Sequence, residues 1–222
     1  MLIGHYAPAL LLKTRASKVP LWSLFIAVEG LDYLWSLFIL GGIEHMRFAP
    51  ESNPSNGLEL YDMPFSHSLA ATMVWSLLGF GIAYAWKKES KFAFVIALAV
   101  ASHFFCDWVV HLPDLPLAGN DSEKLGLGLW SNRTGAVIVE TIFFVGSLLI
   151  FQRAFHWKSA RWLRLAGVMS GLCVAGYFVP PPPTSVALGL GGLGLYVLLP
   201  FFAWRAEKGE LTSGEASSPS PG

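Results

Sequence analysis

Six apolar stretches, each close to twenty residues, set the limits on what this chain can become: roughly 20–43, 66–86, 92–112, 134–152, 162–180 and 184–204. A helix of about 20 apolar residues crosses the hydrocarbon core of a bilayer, and in lipid only helices and closed barrels satisfy every backbone polar group. The expected fold class is therefore all-α, a polytopic membrane helical bundle with about six transmembrane helices. Composition agrees: 54% of the 222 residues are hydrophobic and 14% charged, too apolar for a soluble domain of this size. One further apolar segment, around Gly4–Leu12, is too short to cross and suits a short N-terminal interfacial or re-entrant helix. Met1–Leu12 has no basic start and no small-residue cleavage site, so the first crossing is expected to direct insertion. Residues 1–205 read as a single transmembrane domain, and 206–222, small and polar, as a disordered C-terminal tail.

Basic residues set the expected orientation, because Lys and Arg are retained on the cytoplasmic side of short loops. Lys13, Arg15, Lys18, Lys87, Lys88, Lys91, Arg153, Lys158, Arg161, Arg164, Arg205 and Lys208 fall on one side, against Arg47, Lys124 and Arg133 on the other. That asymmetry puts both termini in the cytoplasm of what is expected to be a bacterial inner membrane. It leaves two external loops, about 44–65 and 113–133, whose Glu44, Glu51, Glu59, Asp62, Asp114, Asp121 and Glu123 form an acidic outer mouth. The net charge of zero offers no basic face for nucleic acid, which is excluded as a partner. Cys106 and Cys173 lie within expected spans, where packing is the commoner use of the residue.

Inside the third stretch, His103, Asp107 and His111 recur at i, i+4 spacing, with Asp114 just beyond. Four residues advance a helix by about 40° beyond a full turn, so the three side chains share roughly 80° of arc and can converge on one object. Ionisable groups at membrane depth are costly and face a bundle interior or a wet cavity where they act. Helix one adds Glu29 and Asp32 on neighbouring positions of one face, and Asp32 and His103 have similar depths, roughly 16 and 13 Å from the outer helix ends. Helix two opens with Asp62-Met-Pro-Phe-Ser-His67-Ser, where Pro64 suits a first helical turn and Ser66 or Ser68 could hold the imidazole. Helix four contributes Glu140, roughly 9 Å inside. His5 reaches the site only if its segment re-enters. His45 and His156 read as solvated, and Tyr33 and Trp108 as packing residues.

Three chemistries use such a set. Asp32, His67, His103 and Asp107 offer N and O donors for a divalent metal, zinc first, manganese or iron if carboxylates dominate. Carboxylates and histidines could instead pass protons or cations along the bundle, or glue helices together. Inward of Glu29 and His103 both helices turn apolar, which favours a one-sided site over a continuous path. No internal repeat of the transporter kind is visible. The glycines of Gly189-Leu-Gly191-Gly192-Leu-Gly194 match a dinucleotide-binding pattern but lie in an apolar span without a preceding strand, so helix packing is the expected use, as for Gly167 and Gly171.

The His5 segment, Asp32, the Ser-His-Ser around His67 and the His103-x-x-x-Asp107 helix together resemble the YbcI/YdjM-type integral membrane proteins, over about residues 1–115. The resemblance implies a metal-dependent hydrolase in which His5, Asp32, His67, His103 and Asp107 bind metal, and it names no substrate. The reading that follows is an integral membrane metal-binding protein, a metal-dependent hydrolase with a His/Asp site in the outer half of the bilayer. Glu29, Glu140 and His111 would serve as catalytic or proton-transfer groups, and a lipid-linked or phosphorylated ester would arrive from the bilayer. The competing reading is a non-enzymatic proton- or metal-ion-conducting protein or a subunit of a membrane complex.

Overall fold

The first expected span is broken. Helices α2 (Leu21–Val28) and α3 (Gly30–Leu40) meet at Glu29 with a bend of 49°. The structure, a computed structural model, describes Met1 and residues 3–216; Leu2 and 217–222 lie outside the described residues. Among the described residues there are eight helices: α1 (Tyr6–Arg15), α2, α3, α4 (Leu69–Lys87), α5 (Ser90–Val110), α6 (Arg133–Phe155), α7 (Ala160–Ala175) and α8 (Ser185–Ala216). Helices α4, α5, α6 and α8 are long and apolar enough to cross a membrane, and the bent α2–α3 pair makes five. The expected fifth span, 162–180, is the 16-residue α7, whose rise of about 24 Å is short of a full crossing.

Start signals explain the boundaries. Ser68, Asn132 and Ser159 cap α4, α6 and α7, their side-chain oxygens accepting the amides of Ala71, Gly135 and Trp162. Because Ser68 is the cap, α4 begins after His67, and Pro64 stands in the preceding turn rather than in the first helical turn expected of it. The external loops depart from the all-α expectation in two short antiparallel pairs, β1 (His45–Phe48) with β2 (Leu58–Asp62) and β3 (Leu115–Pro116) with β4 (Lys124–Leu125). Across the first pair Arg47 donates two hydrogen bonds to Glu59, which hold the Glu59 carboxyl below its usual range.

The loops gather at one end of the bundle. Ser55 donates to the Trp130 carbonyl (2.6 Å), Arg133 donates to the Pro54 carbonyl (2.7 Å), and a Cβ on Gly57 would touch Pro181. At the opposite end Lys13 pairs with Glu207 at 2.7 Å, and Glu210 accepts the Ser159 amide. Helix α8 therefore runs on through 206–216, the first part of the segment expected as a disordered tail, and the rest of that segment lies outside the described residues. Helix α7 connects the two ends.

Helix α1 is in the interior, packed against α6, α2 and α5, with Tyr6, Ala7, Ala9 and Leu10 fully buried. Buried among these helices, α1 is unlike a helix lying on a surface, the interfacial alternative. It reaches from Lys13 at one end to His5 in mid-bundle. Gly189 and Gly192 let α8 approach α3 closely: a Cβ at Gly189 would lie 3.1 Å from Leu40 Cγ, and one at Gly192 3.1 Å from Ser36 Oγ. Gly167 and Gly171 do not do this for α7, since an added Cβ at either meets nothing within 4 Å. Cys106 and Cys173 are buried free thiols.

Candidate metal centre

The break in the first span builds one wall of the site. At Val28, the last residue of α2, the backbone carbonyl accepts a 2.6 Å hydrogen bond from His103 Nδ1. A carbonyl can only accept, so Nδ1 carries the proton and a neutral His103 ring presents a bare Nε2 lone pair. His67 is oriented by a longer chain. Ser66 Oγ lies 2.5 Å from Glu44 Oε2 and 2.7 Å from His67 Nδ1. Glu44, as a carboxylate, also accepts the amides of Phe65 and Ser66 at 2.7 and 2.8 Å. The Ser66 hydroxyl spends its proton on Glu44, so it accepts from His67 Nδ1, and His67 Nε2 is bare as well.

These two lone pairs face each other, with Nε2 to Nε2 at 3.2 Å. Asp32 Oδ1 lies 3.2 Å from His67 Nε2 and 3.6 Å from His103 Nε2. Asp107 Oδ2 lies 3.6 and 3.0 Å from the same two nitrogens. Four acceptor atoms thus converge with no hydrogen between them, and Asp107 Oδ2 has no hydrogen-bond donor. Donors around a tetrahedral zinc at about 2.0–2.1 Å are separated by about 3.4 Å. The five separations found here, 3.0–3.6 Å, bracket that edge.

Asp32 is aimed by α8, where the Tyr196 hydroxyl donates to Oδ2 at 3.0 Å and leaves Oδ1 for the histidines. His5, the residue just before α1, has its ring 3.8 Å from that of His103 and its Nε2 2.9 Å from Asp107 Oδ1. The Met1 nitrogen also lies 2.6 Å from Asp107 Oδ1. Beneath this lies a second group. His5 Nδ1 is 3.8 Å from Glu29 Oε2 and 3.9 Å from Asp32 Oδ2, and His5 Nδ1 and both Glu29 oxygens are fully buried without a hydrogen-bond partner. His5, Glu29, Asp32 and His103 form one set of donor atoms within 4.8 Å of one another, and His67, His103 and Asp107 form another. Orphaned buried acceptors are costly, so this chemistry fits one divalent cation and offers room for a second.

All five residues expected as metal ligands, His5, Asp32, His67, His103 and Asp107, come together here, as does Glu29. His111, the residue capping the C-terminus of α5, turns its Nε2 to within 3.6 Å of Asp107 Oδ1 while its Nδ1 is held by Asp114 at 2.8 Å. Glu140 serves a different purpose. It accepts the Gly4 amide at 2.7 Å and the Tyr177 hydroxyl at 2.5 Å, and so anchors the segment that carries His5.

Asp62 lies in the loops with His45 and Asn120 on its two oxygens. Burial raises its pKa, but those hydrogen bonds outweigh it and hold the carboxyl below its ordinary range. His156 is exposed, the Tyr33 hydroxyl bonds the Tyr196 carbonyl, and Trp108, expected to pack, is 39% exposed on the outside of α5.

Glu44, Tyr196 and Trp130, whose ring is 4.2 Å from that of His111, belong to the site without having been singled out for it, while Ser66, which links Glu44 to His67, is one of the two serines expected to hold that imidazole. Glu44 carried only a general signal, an acid at the mouth. No family model, curated protein or solved structure compared with the chain matches it.

Proposed function

We propose that this chain is a metal-dependent hydrolase of a bacterial inner membrane, of the YbcI/YdjM type, with one or two divalent ions, zinc first, in the His/Asp cluster. The carrying observation is the set of four acceptor atoms at 3.0–3.6 Å with the Nδ1 protons of His67 and His103 already spent elsewhere. A single proton can lie in only one of those five contacts, whereas a metal ion satisfies them together. Asp32, His67, His103 and Asp107 would hold it, with His5 completing the shell. When bound, a divalent cation supplies Lewis-acid chemistry that makes water nucleophilic near neutral pH.

The chain's own residues do the rest. His111, with Nδ1 bonded to Asp114, is ready to accept a proton at Nε2 and later return it to a leaving group. Glu29 offers two unpartnered oxygens to the second donor set, and Glu140 positions the His5 segment. The conducting alternative is disfavoured because Tyr6, Leu10, Leu24 and Phe25, all fully buried, plug the interior beside α1 and α2. One bent helix pair, rather than two related ones, points the same way. Clustering of Lys13, Arg161 and Lys208 toward the end where α1 and α8 meet supports cytoplasmic termini, and the even number of crossings that this needs counts α7 as the sixth.

The test is hydrolysis by the detergent-purified, zinc-loaded protein of chromogenic carboxylic and phosphoric esters, beside Asp107→Asn. Turnover lowered at least about a hundredfold in the variant supports the reading. Turnover equal in both, or none with any ester although metal is bound, would overturn it.

A further inference from the structure

Helix α8 carries Pro200 in its interior. A proline there has no N–H to give, and its ring presses on the carbonyl of the residue four before it. In α8 that residue is Tyr196, whose hydroxyl donates to Asp32 Oδ2 at 3.0 Å. The helix therefore cannot hold the Tyr196 carbonyl by the usual bond from four residues on. The Tyr33 hydroxyl takes that place, donating to the Tyr196 carbonyl from α3.

Asp32 and Tyr33 are neighbours in the chain, so α3 grips Tyr196 at both ends: Asp32 accepts from its hydroxyl and Tyr33 donates to its carbonyl. The Tyr33 and Tyr196 rings meet edge to face, with centroids 5.5 Å apart. The same seam runs on away from Pro200, where Gly192 lies against Ser36 and Gly189 against Leu40. Gly192 also leaves room for the Tyr196 ring, since a Cβ there would lie 3.2 Å from Tyr196 Cε2. A carbonyl left unpaired within a membrane is costly. The Tyr33 bond therefore constrains how α8 is set beside α3, and with it where the Tyr196 hydroxyl stands.

We infer that Tyr33 is a positioning residue of the metal centre: its hydroxyl stands in for the amide that Pro200 lacks, fixes Tyr196, and through Tyr196 holds the Asp32 carboxylate in place. This rests on the metal-binding part of the reading above. With Oδ2 held by Tyr196, Asp32 keeps Oδ1 at 3.2 Å from His67 Nε2 and 3.6 Å from His103 Nε2. Released by Tyr196, the carboxylate is free to swing Oδ2 toward His5 Nδ1, 3.9 Å away. Tyr33 thus acts on the centre across two hydrogen bonds.

The test uses full-length protein in detergent, with zinc affinity read by chelator competition and ligand geometry by the visible absorption of the cobalt-loaded protein. Tyr33→Phe keeps the ring and removes only the hydroxyl. Its zinc affinity should fall about tenfold, and its cobalt spectrum should shift. Pro200→Ala returns an amide to the position that serves the Tyr196 carbonyl, so in that background Tyr33→Phe should cost less than about twofold. Tyr196→Phe cuts the other link, and adding Tyr33→Phe to it should lower the affinity no further. A Tyr33→Phe protein with wild-type affinity and spectrum, or one whose loss is the same in either of those backgrounds as in wild type, overturns the inference and leaves the metal centre standing. Wild-type protein that takes up neither zinc nor cobalt overturns both.

Discussion

His67 Nε2 and His103 Nε2 face one another at 3.2 Å, and with both rings neutral neither nitrogen has a proton to place between them. The reason lies behind each ring: Val28's carbonyl takes the Nδ1 proton of His103, and Ser66, already donating to Glu44, takes that of His67. Two aligned lone pairs and two carboxylate oxygens form a site prepared for a cation.

Glu44→Gln should therefore weaken metal binding although Glu44 touches no metal-facing atom. The neutral amide cannot accept on both sides as the carboxylate does, so the Ser66 hydroxyl is released and the His67 tautomer is no longer enforced. Loss of such an orienting partner costs about 10- to 100-fold in affinity. Competition against a zinc chelator of known affinity measures it, and a variant that binds as tightly as wild type would show that the Glu44–Ser66 chain does not set the ring.

Gly126→Ala should be far more damaging than Gly128→Ala. A Cβ at Gly126 would lie 2.1 Å from the Leu112 carbonyl oxygen and 2.6 Å from that of His111, so the turn must open. Gly128 has φ +75 but empty space around it, and an alanine there pays only the left-handed backbone term of about 1–2 kcal/mol. Thermal unfolding in detergent should rank Gly126→Ala at least about 3 kcal/mol below wild type and Gly128→Ala near 1. Equal losses would mean that the turn beside His111 is looser than its contacts indicate.

Glu207→Ala should destabilise the fold by about 3 kcal/mol, because it strands a buried lysine. Lys13 Nζ is 2.7 Å from Glu207 Oε1 and also bonds the carbonyls of Ser17 and Val19, while Glu207 Oε2 accepts the Leu21 amide. Lys13→Met with Glu207→Ala should lose less than the sum of the single changes. Additive losses in a thermal-denaturation cycle would show that the two groups are not coupled.

The clustered His and Asp residues were legible because they break a rule that membrane sequences otherwise obey. His103, Asp107 and His111 are polar at i, i+4 inside an apolar helix, and Asp32 repeats the exception at a matching depth. What stayed hidden is what tertiary contact alone creates. Glu44 resembled the six other acids of the external loops until the fold brought it under Ser66, and Tyr196 resembled any aromatic residue of an apolar span until α8 packed on α3. The break at Glu29 had a local cue in the following Gly30, but a glycine in an apolar helix more often signals close packing. Helix α8 outran its apolar stretch because Glu207 and Glu210 find partners on α1 and before α7, a gain no local composition records.

The central claim is that the cluster holds metal, and its most direct test is elemental mass spectrometry on detergent-purified protein, wild type beside His103→Ala and Asp107→Asn, each eluting as a single folded species. The account predicts about one or more divalent ions per wild-type chain and less than about a tenth of that in both variants. Wild-type protein that is metal-free when purified without chelator, and that takes up neither zinc nor manganese when these are added, would contradict it.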